Sequence, residues 1–205
     1  MESSANTQFD YAITGTTFIQ ALAETFTVGV AGKLSQVGFQ VYHNTNATGA
    51  LIFQILSTSG GNPNPDSIAP LFQTTVPLAS TPTTANPEVP FTLVDVSAAG
   101  IIVTPGQVLT IALKNPTGSA IPPWTLWRSG PATYTGGALY IQQQSDAPNW
   151  RALVNNGTVQ DLGFRTYVTA AAVPAPSALV TALMGIGVSG IGFLARRRKQ
   201  ARKAV

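Results

Sequence analysis

The chain has 205 residues, of which 44% are hydrophobic and 9% are charged, and it contains no cysteine, which excludes a disulfide framework, a thiol nucleophile and a cysteine metal site. The formal net charge is +3, but six of the 11 basic residues fall between Arg196 and Lys203, so residues 1–195 carry five basic against eight acidic residues, or −3. A nucleic-acid footprint needs basic residues spread over the folded domain, so nucleic acid is excluded as a partner.

Runs with an apolar residue at every second position predict β-strands up to residue 168. The longest extends from Lys33 to Tyr42 and alternates between two sets of side chains, Val37, Phe39 and Val41 on one face and Gly38, Gln40 and Tyr42 on the other. This is the pattern of a half-buried strand. Two later runs repeat it with three apolar residues each, Leu51, Phe53 and Ile55, then Leu109, Ile111 and Leu113. A last strand is predicted from Leu162 to Val168, with Arg165 and Tyr167 on its other face.

Proline and glycine mark the connections between these runs. Seven of the 15 prolines fall between Pro63 and Pro90, which predicts long loops and an interrupted edge strand from Leu71 to Leu78. The tetrapeptide from Thr104 to Gln107 suits a type II turn, with Pro105 presetting φ and Gly106 taking a positive φ. No stretch before Pro176 has helical periodicity. We therefore predict an all-β fold, a jelly-roll-like β-sandwich of about eight to ten strands.

Residues that carry catalytic or metal chemistry are scarce. His43 is the single histidine, it follows a strand into a polar loop, and no Gly-x-Ser-x-Gly elbow accompanies it, so we interpret it as a bystander. The acidic residues of the body are scattered singly: Glu2, Asp10, Glu24, Asp66, Glu88, Asp95, Asp146 and Asp161. A sandwich can still bring distant acids together, around Ca²⁺ or as the facing pair of a glycosidase. We predict no catalytic residue, no metal and no cofactor.

One aromatic group suggests a binding surface. All three tryptophans fall within 27 residues, and with a nearby tyrosine they form the candidate glycan platform Trp124, Trp127, Tyr134 and Trp150. Flat aromatic rings suit sugar faces, and neighbouring amides can bond sugar hydroxyls, namely Gln142, Gln143, Gln144 and Asn149. The competing interpretation is that the tryptophans pack in the core, since tryptophan is mostly buried in folded domains.

The C-terminal tail predicts a membrane anchor. Residues 177–195 are 19 in number and carry no charge, and at about 1.5 Å each they span most of a ~30 Å hydrocarbon core. The basic residues that follow begin with Arg196, Arg197, Arg198 and Lys199. By the positive-inside rule they stay cytoplasmic and the body lies on the other side of the membrane. The alternative is a buried, glycine-rich core helix.

The whole tail resembles a PEP-CTERM sorting signal, the tag that bacterial exosortases recognise. The resemblance consists of the tetrapeptide Val173, Pro174, Ala175 and Pro176, then the glycine-rich span, then the basic run. The usual tetrapeptide has Glu where this chain has Ala175. The resemblance implies export, recognition at the motif, cleavage near it by an exosortase-type transpeptidase, and transfer of the body to the cell surface or the extracellular matrix.

The body is similar to the domains of choice-of-anchor proteins, in which different surface anchors follow a β-sandwich. The similarity lies in five segments, 25–29, 34–41, 96–100, 103–107 and 161–168. It implies a β-sandwich and brings no catalytic residues.

We therefore divide the chain into four parts: residues 1–168 as an extracytoplasmic β-sandwich domain, 169–176 as a linker with the sorting motif, 177–195 as a transmembrane helix, and 196–205 as a basic cytoplasmic tail. The first eight residues lack a charged and apolar leader, so we expect a misassigned start with a signal peptide upstream. The alternatives are a truncated chain and true cytoplasmic residence. The predicted location is the bacterial inner membrane in transit, then the surface or matrix. The predicted function is that of a non-enzymatic surface protein. The alternatives are an exopolysaccharide-binding module and an exported hydrolase.

Overall fold

The computed structural model describes residues 2–3, 10–13, 19–43, 49–58, 63, 68–83, 90–114, 124–131, 134–143, 149–155 and 157–170. The chain divides into two units, Met1–Ala170 and Ala171–Val205. The second unit lies outside the described residues, and with it lie the sorting motif, the segment 177–195 and the basic run. Within the described ranges, no helix is both long enough and apolar enough to span a bilayer.

The described part of the first unit is built from 15 strands: β1 (Glu2–Ser3), β2 (Asp10–Ile13), β3 (Ile19–Thr27), β4 (Gly32–His43), β5 (Ala50–Ser57), β6 (Phe72–Pro77), β7 (Phe91–Asp95), β8 (Ile102–Val103), β9 (Val108–Lys114), β10 (Trp124–Pro131), β11 (Leu139–Gln143), β12 (Arg151–Ala152), β13 (Val154–Asn155), β14 (Thr158–Leu162) and β15 (Phe164–Thr169). The helical residues among those described form two 3₁₀ turns, Leu78–Ser80 and Ser97–Ala99. The predicted all-β class is confirmed. The strand count exceeds the prediction. Four strands, β1, β8, β12 and β13, have two residues each, too few to show an alternating pattern, and the predicted last strand is divided between β14 and β15.

The strands join in one hydrogen-bonded network with the order β1-β15-β4-β10-β2-β3-β9-β5-β6. Beside this path, β11 pairs with β3 and β12, β7 and β8 pair with β4, and β14 pairs with β10 and β13. The pairings are antiparallel except for β2 with β3. Antiparallel neighbours can be joined by short turns, which agrees with the many proline and glycine positions between strands.

Aromatic contacts show that this network folds over on itself. Phe39 of β4 stacks on Phe53 of β5 with ring centroids 5.4 Å apart. The two strands stand five places apart in the strand order, which is about 24 Å in a flat sheet at ~4.8 Å per strand. Phe26 of β3 meets Phe164 of β15 at 5.7 Å in the same way. Two layers therefore face each other across a shared core, and the architecture is β-sandwich-like.

The predicted inward faces supply this core. The central residues of β4, β5 and β9 are fully buried, namely Val37, Phe39, Val41, Leu51, Phe53, Ile55, Leu109, Ile111 and Leu113. The prediction of a half-buried β4 is wrong for its second half, where Gln40 and Tyr42 on the opposite face are buried as well. The predicted last strand is also interrupted. It breaks at Gly163, where a side chain would overlap Gln40, so β14 ends before the break and β15 begins after it.

The predicted turn forms as expected, whereas residues 64–67 and 84–89 of the predicted loops lie outside the described residues. The Gln107 N–H donates to the Thr104 carbonyl at 3.1 Å, and Gly106 has φ of 84°, as a type II turn requires. The predicted edge strand is β6, which stands last in the strand order of the described residues and ends at Pro77.

Candidate functional site

The least expected feature of the core is an acidic side chain. In β3, Leu22, Glu24 and Phe26 alternate onto the inward face, and Glu24 pairs in register with Leu139 on one side and Ile111 on the other. The pleat therefore directs the Glu24 carboxyl between the two layers. The side chain is 0% exposed.

The Glu24 carboxyl links β3 to the end of β14. Its Oε2 accepts a hydrogen bond from the Leu162 N–H at 3.0 Å. Its other oxygen, Oε1, is buried and has no hydrogen-bond partner. Leu162 immediately precedes the break at Gly163, so this bond holds the chain where β14 passes into β15.

A second buried carboxyl belongs to Asp161, the neighbour of Leu162. It is also 0% exposed, and its Oδ2 accepts from the Tyr134 N–H at 3.1 Å. Its Oδ1 is buried without a partner. The Tyr134 hydroxyl in turn accepts from the Thr27 N–H at 2.9 Å and donates to the Thr27 carbonyl at 3.1 Å. We call the carboxyls of Glu24 and Asp161 the acid pair; it ties β3, β14 and the segment before β11 together.

Burial controls the protonation of the acid pair. Desolvation raises the pKa of Glu24 well above its usual range, the Leu162 N–H opposes this rise, and the negative charge of Asp161 adds to it. Desolvation also raises the pKa of Asp161 to about 6, against the opposing hydrogen bond from Tyr134.

The raised pKa of Asp161 predicts how stability changes with pH. Between its ordinary value of 3.8 and about 6, the folded protein holds a proton that the unfolded chain has released. The free energy of unfolding should therefore be highest near pH 4 and fall as the pH rises through 6, by roughly 1–2 kcal/mol after allowance for solvent screening. Urea unfolding of wild type and Asp161→Asn at pH 4 to 7 measures this, and the variant should lose less stability.

Asp95 provides the matched control for this measurement. It is an acid whose pKa is lowered by hydrogen bonds from the side chain and backbone of Ser97. The contribution of Asp95 to the free energy of unfolding changes with pH in the opposite direction. It is present above the ordinary pKa of an aspartate and is lost as the pH falls through the lowered pKa of the folded state. Asp95→Asn should keep the wild-type decline between pH 4 and 7. A wild-type stability that rises steadily over this range would contradict the assignment.

The structure places the candidate glycan residues in different surroundings. Tyr134 packs against the main core, with its ring edge-on to Phe164 at 5.4 Å. Trp150 is half-buried and packs, with Tyr140, on a small apolar cluster on the opposite face of the β3 layer, formed by Ala23, Leu56 and Ala112. Tyr134 and Trp150 therefore do not share one surface.

The other two platform residues are described by their backbone alone. Trp124 pairs in register with His43 of β4, and Trp127 pairs with Asp10 of β2. Their side chains, and those of Gln143 and Gln144, lie outside what the structure describes. A platform that contains the tryptophans of β10 stays a prediction.

His43 lies in a buried, hydrogen-bonded environment at the end of β4. It is the last residue of β4 and is buried, and its Nδ1 lies 2.8 Å from Thr81 Oγ1. Since the Thr81 hydroxyl donates to the Leu78 carbonyl at 3.0 Å, the His43 Nδ1 is the donor of this pair. Burial lowers the pKa of His43, which keeps the ring neutral near pH 7.

Sequence reasoning missed the acid pair because its members are 137 positions apart. The signal that was available is Glu24 itself, which occupies an inward position between Leu22 and Phe26. Among the described side chains, no group of three or more His, Cys, Asp or Glu is placed to hold a metal ion. Protein-family profiles and curated proteins yield no match to this chain.

Proposed function

We propose that this chain is an exported, non-enzymatic protein of the bacterial cell surface or extracellular matrix, sorted through its C-terminal tail. In this proposal a jelly-roll-like sandwich precedes one membrane-spanning helix, residues 177–195, and an exosortase-type transpeptidase cleaves near Val173–Pro176. The observation that carries the proposal is the order of the tail, in which a proline motif, 19 uncharged residues and a basic run follow one another. Each part has a separate physical role, in recognition, membrane insertion and retention of the tail in the cytoplasm.

Two features of the folded body support this proposal. β15 ends at Thr169, so three residues separate the last strand from Val173. Both carboxyls of the acid pair are 0% exposed, so this pair does not supply the two substrate-contacting carboxyls that a glycosidase needs.

The test is mass spectrometry of the C-terminus of the protein recovered from the host envelope and medium. We expect a mature chain that ends between residues 173 and 177. Pro174→Ala with Pro176→Ala should block processing, and Pro90→Ala, an exposed proline outside the motif, should be processed normally. An intact chain that reaches Val205 in the membrane fraction would instead indicate a permanent single-span anchor.

A second candidate function is exopolysaccharide binding by the body. The observation that favours it is that Tyr140 and Trp150, both half-buried, pack on the same apolar cluster on the outer face of the β3 layer. Gln142, two residues along β11 from Tyr140, lies on the same face, because their partners Ala21 and Ala23 are two residues apart on β3. Gln142 is itself buried, so in this proposal the two aromatic rings make the contact with the sugar.

Trp150→Ala tests this second function. We expect its affinity for the purified exopolysaccharide to fall at least about tenfold, which corresponds to ~1.4 kcal/mol of lost ring contact. Trp127→Ala, measured in parallel, tests the contribution of β10. Tyr167→Ala is the matched control, since Tyr167 is an exposed aromatic residue on β15. Unchanged affinity in both tryptophan variants, with folding intact by circular dichroism, would exclude this function for these residues.

A further inference from the structure

One edge of β15, the strand that ends the body, is only partly covered. On its other side, β15 pairs with β4 along its whole length. The Gly163 carbonyl, just before β15, accepts from the Gln40 N–H of β4 at 2.9 Å. The Tyr167 carbonyl accepts from Ser35 Oγ of β4 at 3.1 Å. Since the backbone groups of a strand alternate between its two sides, residues 163, 165 and 167 direct theirs toward β4, and residues 164, 166 and 168 direct theirs toward the other edge.

This other edge is open beside Thr166 and Val168. β1 pairs with β15 at Phe164 and Arg165, and in the described part of the chain no strand continues that pairing toward the end of β15. The side chains of Thr166 and Val168 are half-buried, so this stretch is not enclosed. A strand edge with unpaired N–H and C=O groups is a template for another chain. We call residues 166–169 the open edge.

An apolar cleft between the two layers lies beside the open edge. Its volume is about 430 Å³, and residues 166–168 form one of its walls. The remaining walls come from the end of β3, the turn after it and β4, with the apolar side chains Phe26, Val28, Val30 and Leu34. No residue of this lining is charged. Since an apolar cavity of about 150 Å³ accepts a benzene molecule, the cleft has room for two groups of that size.

We propose that the open edge binds an extended peptide of a partner protein, which adds to β15 as a further strand and places two apolar side chains in the cleft. The peptide backbone bonds the outward N–H and C=O groups of Thr166 and Val168. Neighbours across a ladder point to the same face, so the peptide side chains opposite these two residues enter the cleft. The peptide residue between them lies on the outer face beside Tyr167, which is 39% exposed, and is therefore polar.

Two independent features favour a peptide over a small apolar molecule. The first is the row of outward backbone groups, which continues the ladder that β1 begins at Phe164. The second is the apolar cleft, because alternate side chains of one strand stand about 7 Å apart on the same face and two of them fit its volume. A small apolar molecule would fill the cleft but leave the outward amides without partners. This inference concerns binding by the body and does not depend on the proposed sorting route.

The test is amide hydrogen exchange of the full-length protein in detergent solution with a synthetic probe peptide. The probe alternates threonine with phenylalanine and carries a lysine at each end for solubility. At about ten times its dissociation constant, the probe should slow exchange of the Thr166 and Val168 amides about tenfold. The Thr110 amide, in the β3–β9 ladder, should not change.

Two control peptides separate the backbone contribution from the side-chain contribution. One has alanine in place of each phenylalanine, and the other has N-methyl groups on alternate amides, which removes the donors that face β15. Each should bind the wild-type protein at least about tenfold more weakly than the probe. These comparisons need no variant of the protein, so they decide the proposal even if a variant does not fold.

Two valine variants of similar exposure test the cleft. Val30→Asp places a charge in the apolar lining and should weaken binding of the probe at least about tenfold. Val154→Asp is the matched control and should bind as wild type does, since Val154 is 51% exposed on β13 and Val30 is 59% exposed. Val168→Pro removes an N–H that faces away from β4, so the β4–β15 pairing should survive while binding of the probe falls.

Three results would overturn the proposal. The first is exchange at Thr166 and Val168 that the probe does not alter. The second is equal binding of the probe and either control peptide, since the cleft or the edge would then act alone. The third is a dimer of the chain, detected by sedimentation and abolished by Val30→Asp, because a second copy would then occupy the open edge.

Discussion

Phe53→Ala is expected to destabilise the body by about 3–5 kcal/mol, the usual cost of removing a fully buried phenylalanine. Phe53 is 0% exposed and lies at the centre of an aromatic group, stacked on Phe39 at 5.4 Å and edge-on to Phe72 at 6.2 Å. Its ring fills the space between the two layers, so its removal leaves a cavity with rigid walls on both sides. The midpoint of urea denaturation measures the effect.

Phe91→Ala is the control for this result. The Phe91 ring is partly exposed and lies under the Arg165 guanidinium, so its removal should cost less than about 1.5 kcal/mol. A double-mutant cycle between Phe39 and Phe53 should give a coupling of about 0.5–1.5 kcal/mol beyond the area term. Equal losses for Phe53→Ala and Phe91→Ala would contradict the packing of two layers across this ring.

Gly137→Ala should destabilise the body by about 2–4 kcal/mol, through overlap and loss of nearby hydrogen bonds. A Cβ at this position would overlap the backbone carbonyl of Thr25 in β3. Backbone atoms cannot rotate away, as a side chain can. The close approach is fixed by neighbouring bonds, since Thr25 N–H donates to the Ala138 carbonyl at 3.0 Å and Ala138 N–H donates to Thr25 Oγ1 at 2.9 Å.

Gly157→Ala is the control, because it measures the cost of replacing a glycine at a position where the added Cβ overlaps nothing. Gly157 has φ of 77° and nothing within 4 Å of an added Cβ, so the expected loss is about 1 kcal/mol from backbone strain alone. Thermal unfolding of both variants at one pH provides the comparison. If Gly137→Ala proved no more harmful than Gly157→Ala, the segment before β11 would have to lie farther from β3.

The acid pair and these packing contacts belong to one region of the sandwich. The Tyr134 ring packs edge-on against the Phe164 ring. Tyr134 also hydrogen-bonds to Thr27 through its hydroxyl and to Asp161 through its backbone N–H. A carboxyl in a core conflicts with the general rule that buried positions are apolar. Such local conflicts are expected at functional sites, where a residue that lowers stability is kept for its function.

The sequence was sufficient for the parts of the fold that depend on neighbours along the chain. Alternation of apolar residues located β4, β5 and β9, since the strand period of two is a local property. The turn at Pro105–Gly106 followed in the same way, from backbone preferences of two adjacent residues. These features need no information about distant segments.

Other features depend on which strands meet. The strand break falls at Gly163, where an added side chain would meet the Gln40 side chain of β4, a strand that is distant in sequence. The burial of both faces of β4 results from neighbours that its own pattern does not reveal. The division of Tyr134 and Trp150 between opposite faces of one layer also requires the register of β3 and β11.

The sequence by itself determined the all-β class, the inward faces of the main strands and the order of motifs in the tail. Each of these depends on residues that are close together in the sequence. Only the tertiary structure decided that Glu24 and Asp161 share one buried site. Each acid alone resembles any isolated carboxyl in a polar chain, and their raised pKa values arise from desolvation, with the charge of Asp161 adding to the rise at Glu24. Both effects exist only when β3 and β14 are packed together, and no local pattern encodes them.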